Sequence, residues 1–239
     1  MAQIYFGTSG WAYKAWKPDF YPEDLPQKQF LRYYASQLNA VEVNYTFRNR
    51  ISEKTTASWL ADTPETFRFT LKANQAITHF KRLKDAQESV RRFLDSIAAM
   101  HNSGRLGAVL LQLPPNLKAD TERLDTFLSD WPRQLRSAFE FRHESWFAEE
   151  TYAVLKKHHS ALCIAETDSL ITPETFTAEF AYFRFRKPNY TAAERRRIAE
   201  RIQSVEGMDV YAFFKHEESP ESALNALDVQ KQLKKHATA

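Results

Sequence analysis

Charged and aromatic residues alternate in the segment AFEFRHESW, residues 138–146. Glu140 and Arg142 share one parity and Phe139 and Phe141 share the other, as the two-residue period of a β-strand requires. One face of this predicted strand is therefore aromatic, and the other carries opposite charges. The charged face is where this strand could take part in chemistry.

The same alternation recurs in other segments, where large apolar residues would face outward and polar residues inward. In AVEVNYTF, for example, Glu42 and Asn44 alternate with apolar neighbours. Inward-parity polar residues near the carboxyl ends of the predicted strands are Glu42, Lys72, Gln112, Glu140, Arg142, Glu166, Asp168, Arg184, Arg186 and Lys215. The two signs of charge nearly balance in this set.

Two of the carboxylates, Glu42 and Glu140, could divide general acid and general base work if their surroundings separate their pKa values. That arrangement suits a hydrolase, for example a glycosidase-like enzyme. We expect replacement of Glu140 by Gln to abolish turnover and leave the fold intact. Arg142 and Lys72 would instead favour ionised carboxylates, and a glutamate paired with an arginine commonly orients other groups. Both interpretations remain open from the residues alone.

The basic residues of the set suit an anionic substrate. Lys72, Arg142 and Arg184 could hold a phosphate or a carboxylate, and the planar guanidinium of arginine favours bidentate contacts. Asn44 and Gln112 would position the substrate. We therefore predict a small anionic or phosphorylated molecule as the substrate and hydrolysis or other acid/base chemistry as the reaction.

Eight short segments with strand periodicity alternate with helical patterns along the chain. The strands are predicted near Ile4, Ala40, Phe67, Gly107, Ala138, Ala161, Ala181 and Asp209. Such βα units predict an α/β protein with a single (β/α)8 TIM-like barrel, in which sites form at the carboxyl ends of strands. Only SLITPETFTAEF separates the sixth and seventh strands, so that unit is predicted to be degenerate. An open doubly wound sheet is the alternative, but no phosphate-binding glycine fingerprint follows any strand.

Composition narrows the class of protein. The chain has 239 residues and no Gly/Ser-rich or Pro-rich hinge, which predicts one barrel domain over residues 1–239. Its net charge of +3 demands neither nucleic acid nor an anionic membrane. No apolar run approaches the roughly 18 residues of a spanning helix, so we predict a cytoplasmic protein without a membrane partner. Cys163 is the only cysteine, which excludes an intramolecular disulfide and a thiolate-cluster metal site. The oligomeric state stays open.

A structural alternative also explains inward charges. Buried charges cost several kcal/mol each unless they are paired, so an internal salt-bridge network could fix strand register without contacting a ligand. A hydrophobic replacement is often at least as stable as a buried ion pair, however, and repeated charge at one end of a barrel favours a use beyond stability. A noncatalytic scaffold predicts that no open cavity reaches the charged strand ends.

Six segments carry a resemblance to a known family. They are GTSGWAYKAW, VEVNYTF, FRFTLKANQAITH, LLQLPP, FEFRHESW and FFKHEESPESALNAL, and together they span nearly the whole chain. In combination they resemble the YecE-like family, also called domain of unknown function family 72. The resemblance implies a TIM-like barrel in a bacterial or archaeal cytoplasm, without an established reaction.

The resemblance also implies a shared constellation of residues. The matching positions are Ser9, Gly10, Trp11, Glu42, Asn44, Thr46, Lys72, His79, Gln112, Glu140, Arg142, His143 and Trp146. This set coincides closely with the strand-end residues found from parity. One departure concerns the seventh strand, where many members of the family end in Arg-x-His-Gly and this chain has FRFRKPNY. A histidine role at that place is therefore not expected here.

Five further residues are candidates for contacts with a substrate. His79 follows the third strand in a loop that could form a lid, and an ordering hydrogen bond is its alternative role. His143 has the opposite parity to Arg142 and would lie at the rim, where it could also be a purely structural residue. Trp11, Trp146 and Asp168 complete the substrate-binding set.

No cofactor is required by the sequence. Oxygen ligands for Mg²⁺ or Mn²⁺ could come from four carboxylates, Glu42, Glu140, Glu166 and Asp168, but interleaved arginine and lysine side chains compete for them. Few histidines lie close to strand ends, so a trinuclear zinc centre is not expected. We assign no metal ligand.

Nucleic-acid binding or processing is the second functional hypothesis. The aromatic residues Trp11, Trp16, Phe47 and Trp146 would stack bases, and basic residues such as Lys81, Arg82 and Lys84 would contact phosphates. The basic run at residues 195–197 falls early in a predicted helix and is more typical of a solvated face.

Overall fold

The protein folds into a closed barrel of parallel strands. The computed structural model describes residues 2–166, 170–215 and 219–236. The strands are β1 (Ile4–Ser9), β2 (Ala40–Val43), β3 (Arg68–Lys72), β4 (Leu106–Gln112), β5 (Ser137–Glu140), β6 (Ala161–Ala165), β7 (Phe180–Phe185) and β8 (Asp209–Phe214). Each strand pairs with its sequence neighbours, and β8 pairs with β1 to close the barrel. The predicted (β/α)8 TIM-like fold is confirmed, and the open-sheet alternative is excluded.

Helices surround the barrel. They are α1 (Phe30–Gln37), α2 (Glu53–Ala61), α3 (Gln87–Asn102), α4 (Thr121–Ser129), α5 (Glu149–Lys157), α6 (Ala192–Gln203) and α7 (Glu221–His236). Helix α6 begins with a capping box, because the Thr191 side chain accepts from the Glu194 amide while the Glu194 carboxylate accepts from the Thr191 amide. No helix in the described part of the chain is long and apolar enough to cross a membrane.

The unit between β6 and β7 lacks a helix in its described residues. Glu166 follows β6 and forms an isolated antiparallel bridge with Ile171, and residues 170–179 then lead to β7 without a helical turn. The predicted degenerate unit is therefore confirmed. Proline at position 173 and polar residues around it offer no amphipathic helical face that could pack on the barrel.

The barrel interior is filled by small and aromatic residues rather than by branched aliphatic ones. A separate buried cluster lines it with alanines from several strands and fills it with Tyr182, Tyr211 and Phe213. Gly107 belongs to this packing, because a Cβ at its position would lie 2.5 Å from the Tyr211 ring. Small residues on the barrel wall leave space for long side chains that cross the lumen. At the carboxyl ends of the strands, that space is taken by charged groups.

The loop between β1 and α1 covers part of the barrel with aromatic residues. Trp16 and Tyr21 are fully buried, and Tyr21 stacks on Phe30 at the start of α1 with a centroid distance of 4.0 Å. Phe20 contacts Trp16 edge to face. The high aromatic content of this segment therefore fixes the loop against the helices, and Trp16 offers no open surface for base stacking.

Candidate functional site

Arg184 crosses the barrel between two carboxylates at the carboxyl ends of the strands. Its Nη2 donates to Glu42 Oε1 at 2.7 Å, and its Nη1 donates to Glu140 Oε2. All three residues are 0% exposed. The strand alternation explains the arrangement, since inward-parity residues of β2, β5 and β7 can meet only inside the barrel. Burial of these charges is tolerated because they satisfy one another.

Glu42 has two further hydrogen-bond donors. Ser9 Oγ donates to Oε1 at 2.6 Å, and Tyr182 Oη donates to Oε2 at 2.7 Å. Ser9 is the register partner of Glu42 on the neighbouring strand, so the pairing of β1 with β2 places the hydroxyl directly beside the carboxylate. Burial and the nearby Glu42 raise the pKa of Tyr182 well above its ordinary value, which keeps the phenol as a donor.

Glu140 is held in the same way from three sides. Gln112 Nε2 donates to Oε2 at 2.9 Å, Arg186 donates to Oε1 at 2.9 Å, and Arg184 donates to Oε2. Burial alone would raise the pKa of Glu140, but Arg184 and Arg186 outweigh it and lower the pKa to about 2. At neutral pH this carboxylate is ionised, so it holds no proton to donate as a general acid.

Lys72 lies at the end of β3, beside this network but outside its ion pairs. Its Nζ donates to Gln112 Oε1 at 2.8 Å and lies 4.2 Å from the centroid of the Phe47 ring. Burial, together with the nearby Arg184 guanidinium, lowers the pKa of Lys72 to about 8. Gln112 thus connects a lysine that titrates near neutrality to the buried Glu140 carboxylate.

His79 lies in an unusual segment that follows β3. Residues Ala76–Phe80 form one turn of π-helix, a feature that is frequent at functional sites. The His79 ring meets Phe47 edge to face at 4.9 Å, and its Nδ1 shares a hydrogen bond of 2.9 Å with the Thr78 hydroxyl. Burial lowers the pKa of His79, and Lys72 and Arg142 lower it further. The predicted lid residue therefore lies among the cations of the mouth.

Arg142 lies at the rim immediately after β5. A small cavity of about 70 Å³ is lined there by Glu140, Phe141, Arg142 and residues of neighbouring loops. A noncatalytic scaffold was expected to have no open cavity that reaches the charged strand ends, and this cavity is well below the roughly 300 Å³ of a typical small-molecule pocket. His143 has a different role from its neighbour, since its Nδ1 accepts from the Ser145 amide at 3.2 Å and so begins the short 3-10 helix Glu144–Trp146.

The remaining predicted residues occupy different depths. Asn44 is half-buried after β2, and its Oδ1 atom is buried without a hydrogen-bond partner among the described residues. Trp11 is partly exposed and contacts Trp59 edge to face. Trp146 is 1% exposed, stacks on Phe141 and donates from Nε1 to the Leu117 carbonyl, so it supports the rim from below.

Of the predicted acidic residues at the strand ends, Glu166 does not join the network. Asp168 lies outside the described residues. Glu166 was expected to point inward, but its carboxylate accepts from Arg201 of α6 at 3.0 Å, and the Arg201 guanidinium packs over the outward-facing Phe183. Within residues 2–166, 170–215 and 219–236, no group of three or more His, Cys, Asp or Glu side chains is placed to hold a metal ion.

The sequence predicted the charged residues of the buried network but not which of them form ion pairs with one another. Tyr182 has the same strand parity as Arg184 and Arg186, yet neither Tyr182 nor Arg186 was among the predicted substrate-binding or catalytic residues. Arg142 and Lys72 were expected to pair with the glutamates, whereas the observed partners are Arg184 and Arg186. Alternation along a strand predicts the direction of a side chain. The length of that side chain and the radius of the barrel decide which groups it contacts.

The site therefore has two layers. The buried layer, formed by Glu42, Arg184 and Glu140 with their hydrogen-bond donors, matches the structural alternative of an internal salt-bridge network. The outer layer, formed by Lys72, His79 and Arg142, surrounds the entrance and has no ion pair to a carboxylate in the part of the chain that the structure describes. The side chains of the outer layer are half-buried and reach solvent, whereas Glu42, Arg184 and Glu140 of the buried layer are fully buried.

Comparisons with known proteins agree with this architecture. The family model described as "Protein of unknown function DUF72" matches residues 5–239. The UPF0759 protein YunF of Bacillus subtilis is 30% identical over 156 residues, which cover 62% of this chain and 54% of that protein. The UPF0759 protein YecE of Escherichia coli is 27% identical over 147 residues, or 61% of this chain and 51% of that protein. The matched part of the chain thus spans about half the length of these relatives.

Solved structures match over a larger share. A DUF72 family protein from Thermotoga maritima is 30% identical, with a TM-score of 0.87 over 97% of this chain and 99% of that chain. A DUF72 family protein from Enterococcus faecalis is 22% identical, with a TM-score of 0.81 over 98% of each chain, which supports the fold alone. These comparisons give a fold and a family and no reaction.

Proposed function

The chain belongs to the DUF72 family of proteins of unknown function, and on the geometry of its barrel mouth we propose that it binds and processes a small anionic or phosphorylated molecule there. One observation carries the proposal. Both buried carboxylates are already neutralised by Arg184 and Arg186, and Lys72 and Arg142 are left without a carboxylate partner within the described residues. A ligand that brings its own negative charge complements this entrance.

The residues of the mouth have different roles in binding the ligand. Arg142 and the charged form of Lys72 hold the anionic group, and arginine provides the planar pair of donors that suits phosphate or carboxylate. Asn44 offers an unpartnered carbonyl oxygen that can accept from a hydroxyl or an amide of the ligand. Gln112 is fixed between Lys72 and Glu140 and keeps the lysine in place.

The predicted acid/base pair, Glu42 and Glu140, stays a prediction. Their hydrogen bonds favour different roles for the two carboxylates, which hold the buried Arg184 and influence the electrostatic potential at the mouth. Proton transfer then falls to the half-buried groups of the outer layer. Burial and the nearby Arg184 lower the pKa of Lys72 to about 8, so this amine can exchange a proton near neutral pH. Burial and neighbouring cations also lower the pKa of His79, which favours the neutral imidazole that can accept a proton.

Direct binding of inorganic phosphate tests the proposal. Phosphate titrated at constant ionic strength should raise the melting temperature of the wild-type protein, because a ligand that binds only the folded state stabilises it. Arg142→Gln should remove this effect while the protein stays folded. Arg91→Gln is the matched control, since Arg91 is an exposed arginine on the outer face of α3. If phosphate stabilises the Arg142→Gln variant as much as the wild type, the anion site is not at this mouth.

The nucleic-acid hypothesis receives less support from the same geometry. Two of the tryptophans expected to stack bases, Trp16 and Trp146, are 0% and 1% exposed. Their rings pack inside loops and cannot receive a base without unfolding those loops. A salt-dependent binding measurement with single-stranded DNA and RNA would separate the two functions, since electrostatic nucleic-acid binding weakens steeply as salt rises.

A further inference from the structure

Lys72 has surroundings that differ from those of a lysine serving only as a positive charge. Its Nζ has one hydrogen-bond acceptor in the described structure, the neutral amide oxygen of Gln112 at 2.8 Å. The Phe47 ring covers another side, with its centroid 4.2 Å from the nitrogen. Neither glutamate of the buried layer accepts a hydrogen bond from this amine, because both carboxylates are held by other donors.

Burial is the main reason that the neutral form of Lys72 is favoured. Burial lowers the pKa of Lys72 to about 8, and Arg184 and Lys215 contribute in the same direction against the two glutamates. About one lysine in ten is then neutral at pH 7, about 300-fold more than for an ordinary lysine side chain. A neutral amine is a nucleophile, whereas an ammonium group is not.

We propose that Lys72 forms an imine with the carbonyl carbon of a small anionic aldehyde or ketone that enters the barrel mouth. This inference deepens the proposed function and rests on it, since Arg142 is the group that would hold the anionic end of the substrate. The substrate class is thereby narrowed from anions in general to oxo acids and phosphorylated carbonyl compounds. Lys72 acts on the carbonyl, and its charge is then not needed for binding.

The chemistry balances without an added oxidant or reductant. The lone pair of the Lys72 nitrogen attacks the carbonyl carbon, the π electrons of the C=O bond move to oxygen, and a proton transfers from nitrogen to that oxygen. The carbinolamine then loses water to give the imine, and water reverses both steps. His79 lies near the same cations, and its pKa is lowered. Its Nδ1 shares a hydrogen bond with the Thr78 hydroxyl, so Nε2 is the ring nitrogen suited to carry the proton.

The geometry gives the amine a rigid setting. Lys72 is the last residue of β3, and its backbone carbonyl accepts a hydrogen bond from the buried Thr46 hydroxyl at 2.6 Å. Gln112, the acceptor for Nζ, is itself fixed by its bond to Glu140. Anchoring on two strands limits the positions of Nζ, which is what a nucleophile needs to meet a bound carbonyl group at a defined angle.

Reductive trapping tests the inference on the whole protein. The protein is incubated with glyoxylate and sodium cyanoborohydride near neutral pH and digested, and the modified lysines are measured by mass spectrometry. Lys72 should be labelled at least about tenfold faster than the exposed Lys28 and Lys54, which serve as internal controls. Labelling of Lys72 at the same rate as these surface lysines overturns the inference.

Two variants and a neutral reagent separate this inference from the proposed anion site. Lys72→Arg keeps the positive charge but cannot form an imine, so it should show no selective label, while Lys28 and Lys54 are labelled as in the wild type. Arg142→Gln should slow trapping of glyoxylate, and trapping of the uncharged acetaldehyde at Lys72 should continue. Phosphate stabilisation without selective labelling in the wild type refutes the imine alone. Selective labelling by acetaldehyde without phosphate stabilisation supports the nucleophile and refutes the anion site.

Discussion

Replacement of Glu140 by Gln is predicted to destabilise the protein, which differs from the expectation drawn from the sequence that the fold would stay intact. The ordinary glutamate pKa of 4.5 and the value of about 2 in the folded protein differ by about 2.5. Each pKa unit corresponds to about 1.4 kcal/mol, so the ionised carboxylate contributes about 3 kcal/mol more to folding than a neutral group of the same shape. Glutamine is such a group, and its amide also presents donors to arginines that need acceptors.

The pH dependence gives this prediction a distinctive form. Because the folded-state pKa of Glu140 is depressed, its contribution is fully present above about pH 4.5 and is lost as the pH falls toward about 2. The difference in the free energy of unfolding between wild type and Glu140→Gln should therefore be largest at neutral pH and shrink in acid. Urea unfolding followed by tryptophan fluorescence at about pH 7 and about pH 3 measures it.

A matched control separates the buried network from ion pairing in general. Glu88 also accepts from two arginines, Arg91 at 2.5 Å and Arg92 at 2.6 Å, but its carboxylate lies on the outer face of α3. Glu88→Gln should shift the unfolding midpoint little, because exposed ion pairs are screened by solvent. If the two variants are equally stable, or if the loss in Glu140→Gln persists undiminished at about pH 3, the reasoning about the buried carboxylate is refuted.

Three further predictions follow from local geometry. Thr191→Ala removes the capping box of α6 and should lower the free energy of unfolding by about 1 kcal/mol in urea titration, whereas no loss would mean that the cap observed here does not stabilise the helix. Gly107→Ala places a methyl group 2.5 Å from the buried Tyr211 ring and should cost about 1 to 3 kcal/mol, and an unchanged melting temperature would contradict that packing. Cys163 is 0% exposed, and burial raises the pKa of its thiol. Its reaction with a thiol reagent should therefore be limited by the rate at which the barrel opens. Rapid reaction in the native protein would refute its burial.

The sequence was sufficient for the fold because its evidence is local and repeated. Several strand segments, among them those of β2, β3, β5 and β7, alternate with period two, helices such as α1, α3 and α4 have apolar residues at helical spacing, and the segment before β7 is too short for more than a turn of helix. Right-handed crossovers between parallel strands leave few topologies for eight such units, and a barrel is the one that also removes the sheet edges.

The sequence was also sufficient for the direction of the site residues. Parity placed Glu42, Glu140 and Arg184 inside the barrel, and their position at the carboxyl ends of strands placed them near one mouth. It failed for Glu166, which follows the last residue of β6, forms an isolated antiparallel bridge with Ile171 and accepts a hydrogen bond from Arg201 in the helical layer. Alternation holds only while the strand continues.

Only the tertiary structure decided which charged side chains of the mouth form ion pairs with one another and which do not. Arg184 is long enough to span the narrow lumen, and it reaches two carboxylates from strands far apart in the sequence. Both buried glutamates are paired with arginines, and Lys72 lies beside an amide and an aromatic ring. Charge pairing depends on distances of a few ångströms between strands, whereas a sequence pattern records only the side of the strand on which each charge lies. The sequence alone thus determined the barrel and the inward direction of side chains such as Glu42, Glu140 and Arg184, and the folded arrangement determined which of them form ion pairs.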